Sequence, residues 1–287
     1  MLAAISLLVG GVVWSFESQE VDITVATAAH IRQAHAGCAD RYLASFRNGT
    51  VFPKQIVIVF QAPTDEDNTN LERHREEIRR LERKWSSSFT SLDLMLQLNQ
   101  TYKGSNMDLA ISKATGALVS MFDLDDEPHP QRLEVIQAVF RIHQDLEVLL
   151  TGFVVATPSD DWITPVTLDD IHHLRYSYAS LQDSYTTFID TNHHGDPEMT
   201  NSPRVQWCCG LVDGWAAHNG WSTSRRQVFD KIGFSYKHPV QHNSIVRGST
   251  VEDSVFISKA IYWFHFNVSA VTLELGRYNM SPKESKI

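Results

Sequence analysis

Apolar and polar positions along this chain fall into short runs and periodic stretches that alternate. Asp22-Ile23-Thr24-Val25-Ala26-Thr27 is short and β-branched, which predicts a strand. Ala28 to Phe46 follows with Ile31, Cys38, Tyr42 and Phe46 at helical spacing. Asn48-Gly49 marks a turn, and Gln55-Ile56-Val57-Ile58-Val59-Phe60 is apolar almost throughout, as parallel strands buried on both faces are. The unit is βαβ. Leu71, Ile78, Leu81 and Trp85 then line one face of a helix otherwise crowded with Glu and Arg, which puts its charges in water. Leu92 to Leu98 predicts another strand, Asn106 to Ala114 a short helix, and Leu118 to Phe122 a further strand. Beyond Pro130, Leu133, Ile136, Val139 and Phe140 form the inward face of a helix.

Alternation of this kind predicts an α/β protein with a mainly parallel, doubly wound central sheet flanked by helices in a single domain. Ligands of such sheets sit beyond the strands' C-terminal ends, so the end of the first strand near Thr27 and the residues after Phe122 share one rim. The pattern loosens between about Gly152 and Val205, a stretch rich in His, Tyr, Thr and Asp that resembles an insertion more than a domain. His172-His173 and His193-His194 within it read as exposed polar loops, because adjacent histidines in a strand face opposite ways and no Cys or Glu stands at metal spacing. From Gly214 to Phe234 a glycine and small polar residues predict a loop that lets a ligand approach the backbone, before Arg225-Arg226 open a helix. Glu252 and Asp253 fall at a predicted helix start, where the dipole favours anions. Tyr262 to Ser269 is a strand-like aromatic run whose lone His265 is, on its own, more often a packed core residue than a ligand. The organisation is an apolar segment over 1–20, a domain over 21–275 and a charged tail over 276–287 expected to fray.

Composition narrows the partners. At 287 residues, 43% hydrophobic and 21% charged, the chain has the makeup of a globular domain. A net charge of -9 without a basic stripe argues against nucleic acid as a partner. Cys38, Cys208 and Cys209 can build neither a disulfide framework nor a zinc site. The uncharged run from Met1 to Trp14 is shorter than the roughly 17 to 25 residues that span a bilayer. A signal h-region, a marginal anchor giving weak membrane association, and a buried element of the fold all stay open for it, and with them a secretory, Golgi-type or cytoplasmic setting. The sequons at Asn48, Asn99 and Asn267 do not decide the compartment.

The strand from Leu118 ends in Asp123, Asp125, Asp126 and Glu127, four acids in five positions, and Pro128 and Pro130 forbid its continuation. Carboxylates this close stay ionised together only around a positive charge, most simply a hard divalent ion that prefers oxygen. Mn²⁺ or Mg²⁺ fits better than Zn²⁺, and coordination positions left over commonly go to substrate phosphates. An acidic turn without a ligand is the plain alternative.

In this order the pieces resemble the GT-A fold glycosyltransferases, in particular the nucleotide-sugar-dependent family 2, over about Asp22 to Ser269. Ala114-Thr115-Gly116 leading into Asp123-Leu124-Asp125-Asp126 looks like that family's Asp-x-Asp-Asp strand end, and His129-Pro130-Gln131-Arg132-Leu133-Glu134 like the segment after it. The resemblance implies a nucleotide-sugar half over about 21–140 and an acceptor half over about 141–275. It implies donor contacts at Thr27, Asp123, Asp125, Gly220 and Trp221, the last two within the Asn219-Gly220-Trp221-Ser222 glycine loop. Asp123, Asp125 and the late His265 would hold Mn²⁺ or Mg²⁺, and of the catalytic pair Glu252-Asp253 the second would be the base of an inverting enzyme. The expected activity is metal-dependent transfer of a sugar to a hydroxyl of a glycan or glycoconjugate acceptor.

Departures from the pattern qualify the donor. Phe60-Gln61-Ala62-Pro63 stands where many members have two aspartates that read uracil, and Asp108 stands where Asn is usual. No Gln-x-x-Arg-Trp motif is present, so a processive polysaccharide synthase is not expected. Two alternatives are a haloacid-dehalogenase-type phosphatase and an inactive relative that binds glycans or nucleotides. The phosphatase motif normally opens its domain and continues with Thr or Val, whereas here the fourth residue is Asp126 and a long stretch precedes it.

Overall fold

The computed structural model describes residues 20–63, 67–98, 103–155, 209–212, 215–234, 256–257, 260 and 264–278. The first half alternates as the sequence predicts: β1 (Glu20–His30), α1 (Ile31–His35), α2 (Cys38–Arg47), β2 (Phe52–Gln61), α3 (Asn68–Trp85), β3 (Leu92–Gln97), α4 (Lys103–Ser112) and β4 (Leu118–Met121). A two-residue strand β5 (Glu127–Pro128) and α5 (Arg132–Ile142) follow, then β6 (Val148–Val155), β7 (Cys209–Val212), β8 (Trp215–Arg225) and β9 (Val268–Tyr278).

Among the described residues the strands make one nine-stranded sheet in the order β3-β2-β1-β4-β8-β6-β9-β5, with β7 paired to β8. β3, β2, β1 and β4 run parallel, as do β6 and β9. β8 lies between β4 and β6 and is antiparallel to both. Because helices cover both faces of the parallel part, Ile56 to Phe60 are all fully buried, which is why that run shows no polar alternation. One core packs Val21, Ile23 and Val25 of β1 against Tyr42, Leu43, Leu81, Leu133 and Ile136 of α2, α3 and α5. The other packs Ala26, Val57 and Met121 against Met107 and Ala110 of α4 and against Val228, Phe234 and Phe256.

Local chemistry explains the joints. The helix predicted over 28–46 is two helices, because Gly37 adopts φ 78 and closes α1 with its N–H on Ala34 O at 2.9 Å. α3 is fastened to α2 through Asp40, which accepts from Arg80 Nη2 at 2.6 Å, Lys84 Nζ at 2.7 Å and Trp85 Nε1 at 2.8 Å. Partial burial pushes that carboxyl up, but the hydrogen bonds from Arg80, Lys84 and Trp85 together overcome it and hold its pKa at about 2. At the sheet's N-terminal side, Gln55 Oε1 accepts from Thr24 Oγ1 at 2.9 Å and from Thr115 N at 2.8 Å. Gly116 lies so close to β1 that a Cβ there would sit 2.6 Å from Thr24 N, which accounts for the Ala-Thr-Gly entry into β4.

The second half departs from expectation in four places. Val148–Val155 is a strand of the main sheet, so order extends beyond Gly152. Asn219-Gly220-Trp221-Ser222 is not a loop but part of β8, and Arg225-Arg226 open only a single 3-10 turn over Arg226–Val228. Ser222, Thr223 and Ser224 are fully buried, so polar composition concealed an internal strand. Of the aromatic run at 262–269, strand begins only at Val268, and β9 then continues to Tyr278, past the boundary expected at 276. Among the described residues no helix is long and apolar enough to cross a membrane. The 1–19 segment, both histidine pairs, Glu252 and Asp253 lie outside the described residues.

Candidate active site

Strand order changes direction between β1 and β4, and open α/β sheets bind ligands in the crevice such a reversal leaves at the strands' C-terminal ends. The β1–β4 pairing ends at Ala26 and Met121, so β4 leaves the sheet at Phe122, level with Thr27, while β1 runs on against β2 to His30, three residues past the end expected near Thr27. Thr27 is fully buried, and its hydroxyl has no hydrogen-bond partner among the described residues. Asp123 follows directly. Its Oδ1 accepts from Lys103 Nζ at 2.8 Å, Lys103 being the first residue of α4. The turn closes where Asp126 N–H donates to Asp123 O at 3.3 Å.

The three aspartates occupy different environments. Asp123 is half-buried and ion-paired. Asp125 lies among protein atoms that partly strip its water, and beside the Asp123 charge, and both raise its carboxyl above the usual range. The residue as a whole is exposed, so solvent screens part of both effects. A side-chain hydrogen bond from Gln33 and the charge of Lys103 oppose the rise. Gln33 is aimed by a capping box: its Oε1 accepts from His30 N at 3.0 Å while His30 Nδ1 accepts from Arg32 N at 3.2 Å. Asp126 is buried and accepts from the indole Nε1 of Trp221 at 3.1 Å.

Beneath the turn, α5 supplies Arg132, 1% exposed, whose guanidinium lies 4.7 Å from the Phe122 ring centroid. Nη1 donates to Thr151 Oγ1 at 2.9 Å and Leu275 O at 3.3 Å, and Nη2 to Trp221 O at 2.7 Å, so one side chain joins β6, β9 and β8. Burial holds its pKa down at about 9. Tyr42, likewise buried and close to the Asp123 charge, is pushed well above the ordinary phenol value while its hydroxyl donates to Phe122 O at 3.2 Å.

The structure therefore puts Asp123 and Asp125 on one turn at the end of β4, leaves Thr27 buried within β1 level with Phe122, and connects Trp221 to the turn through Asp126. Trp221 itself is fully buried, so its side chain serves a ligand only at second hand. Gly220 precedes it on β8. His265 is exposed, with φ 51, just ahead of β9. Among the described residues no three His, Cys, Asp or Glu side chains stand close enough to share an ion, so Asp123, Asp125 and His265 are not gathered into one closed ligand set. Two carboxylates on one turn, that of Asp125 raised in pKa by partial loss of water and by the Asp123 charge, still offer hard oxygen donors of the kind a divalent ion takes. Asp108 does not face the rim: its Oδ1 accepts from Phe234 N at 2.6 Å and anchors the 232–234 segment to α4.

Four residues at the site escape periodicity. Lys103 and Gln33 reach it from the polar sides of helix ends, Asn106 donates to Gln61 Oε1 at 3.1 Å at the end of β2, and Arg132 carries charge on an otherwise apolar helix face. The one available signal was a Lys-x-x-Asn spacing at the start of a helix that points to the acidic turn.

No family model matches the chain, and no curated protein does. Solved structures do. S. aureus TarS 1-349 in complex with UDP is similar at a TM-score of 0.53 and 14% identity over 92% of this chain and 62% of that one. The same TarS fragment in complex with UDP-GlcNAc gives 0.52 and 14% over 92% and 61%. This chain thus spans less than two thirds of the TarS fragment. A mannosyltransferase from Pyrobaculum calidifontis in complex with GDP-Man and Mn2+ aligns at 0.47 and 14% identity over 88% of this chain and 57% of that one, too loosely to bear on the metal. Strand order, the antiparallel strand inside the sheet and the TarS likeness agree on the architecture, and the chain has the GT-A fold.

Proposed function

We propose that this protein is a metal-dependent, inverting glycosyltransferase that moves a sugar from a nucleotide-sugar donor to a hydroxyl of a glycan or glycoconjugate. The observation that carries the reading is the position of the Asp123–Asp126 turn: a pair of mutually repelling carboxylates at the β1/β4 reversal, where this class of sheet receives its ligand. The TarS structures, which hold UDP and UDP-GlcNAc, lend support to a nucleotide-sugar donor.

In this reading Asp123 and Asp125 would hold Mn²⁺ or Mg²⁺, and His265, which is not gathered with them, would join the set by a shift of the segment before β9. The ion, when bound, would neutralise charge on the departing diphosphate. Lys103 adds positive charge to the same rim and steadies Asp123. Thr27 and the backbone at Gly220 would lie along the donor. Asp253, with Glu252 beside it, would accept the proton of the acceptor hydroxyl as that oxygen bonds to the anomeric carbon and the bond to the diphosphate oxygen breaks on the opposite face. Attack from the far side inverts the stereochemistry.

Calorimetric titration of nucleotide sugars with several bases in Mn²⁺ tests this, since Gln61 bonded to Asn106 occupies the place of the uracil-reading aspartates. One donor is expected to bind in a metal-dependent way, and Asp125→Ala to weaken it at least tenfold. An affinity that Asp125→Ala leaves unchanged would overturn the assignment.

A further inference from the structure

Trp221 cannot touch a ligand with its side chain, yet it is bound both to the acidic turn and to the core. Its indole N–H donates to the buried Asp126 Oδ2 at 3.1 Å, and its ring lies 4.8 Å from that of Phe122. Its carbonyl accepts from Arg132 Nη2 at 2.7 Å. On the opposite side Gly276 of β9 approaches so closely that any Cβ there would collide with the six-membered ring, and would also meet Phe122 Cε2 at 2.9 Å. The indole is therefore clamped in place before it reaches Asp126. A buried carboxylate needs such a donor, and a charge-assisted bond to it is among the stronger ones available. Asp126 in turn closes the loop on Asp123 O, and Asp123 and Asp125 project from the same turn.

We infer that Trp221 is a positioning residue: its indole N–H, acting through Asp126, fixes the turn on which Asp123 and Asp125 are presented to the metal and donor. The functional half of this inference rests on the donor reading above, while the structural half does not. Trp221→Phe keeps the ring against Phe122 and Gly276 and removes the donor. Hydrogen exchange of the peptide spanning 122–128 is expected to quicken at least tenfold in this variant, with β2 unchanged, and affinity for Mn²⁺ alone, followed by electron paramagnetic resonance, to fall at least tenfold. Phe140→Leu, in the same core but away from the turn, lowers the melting temperature without either effect. Asp126→Leu removes the same bond from the other side and decides the matter should Trp221→Phe not fold. Unchanged turn exchange in whichever of these variants folds overturns the inference, and so does a loosened turn with unchanged Mn²⁺ affinity. If the turn loosens and Mn²⁺ binding falls, but no nucleotide sugar binds the unmodified protein, the positioning role stands and the donor reading is what fails.

Discussion

β2 and β8 are both internal strands of one sheet and could hardly differ more in composition. β2 shields Ile56, Val57, Ile58, Val59 and Phe60 between two helical layers, and apart from Gln55 at its start and the ladders to β1 and β3 its place follows from hydrophobic burial. β8 buries Trp221, Ser222, Thr223 and Ser224, and what fixes it is specific: Arg132 on the Trp221 carbonyl, Thr223 Oγ1 donating to Ser120 Oγ at 2.9 Å, and antiparallel ladders to β4 and β6. A strand that must pass beside a ligand crevice gives up apolar bulk there and is held by hydrogen bonds. β2 makes the scaffold, and β8 joins the scaffold to the chemistry.

The widest test of that division is Asp253→Asn. If the later part of the chain acts while the earlier part binds, transfer falls by about 10² to 10⁴, the range of a lost general base, while donor affinity holds. Equal losses in both, measured by steady-state transfer and calorimetry, would erase the distinction. Next comes Arg132→Met. Removing the guanidinium takes a donor from the Trp221 carbonyl of β8 and the Thr151 hydroxyl of β6 and leaves Leu275 O of β9 with the His129 N–H, and a loss of about 3 kcal/mol in urea unfolding is expected, with residues of β6, β8 and β9 exchanging faster than those of β2. Uniform loosening would mean that β8 is not separately held.

Asp40 offers a control confined to the scaffold. Its pKa is depressed to about 2, so its contribution is complete above the unfolded carboxylate value near 4 and vanishes as pH falls towards 2. Asp40→Asn is expected to lose about 1 kcal/mol at pH 7, and the gap to the unmodified protein to narrow below pH 4 with Mn²⁺ affinity untouched. The smallest effect belongs to Ser224→Ala. Among the described residues that buried hydroxyl has no partner, so its removal changes stability by no more than about 0.5 kcal/mol, or raises it. A large loss would show that β8 depends on a bond the present geometry does not contain.

The first half was legible because burial on two faces writes itself as apolar runs. From Ile23, Ile56, Leu94 and Val119 the parallel order can be reasoned, and from the acids after Met121 the rim on which the site lies. Gly37 was missed because a helix break of two residues leaves the 3.6-residue spacing nearly intact on both sides. β8 was missed because hydropathy cannot distinguish Ser222-Thr223-Ser224 in a loop from the same residues packed inside a sheet. Lys103, Gln33 and Arg132 were missed for a related reason: each acts at a distance in sequence, and nothing local to it announces the aspartate, indole or carbonyl it meets.

The pairing of Ser120 with Thr223 spans 103 residues of sequence. During synthesis β1 to β4 emerge long before their neighbour, leaving the outer edge of β4 with unsatisfied ladder groups. Contacts of such separation form slowly, so insertion of β8 is expected to be a late step of folding. Until it occurs, that open edge is where two nascent molecules would join in error, and where a chaperone would have most to protect.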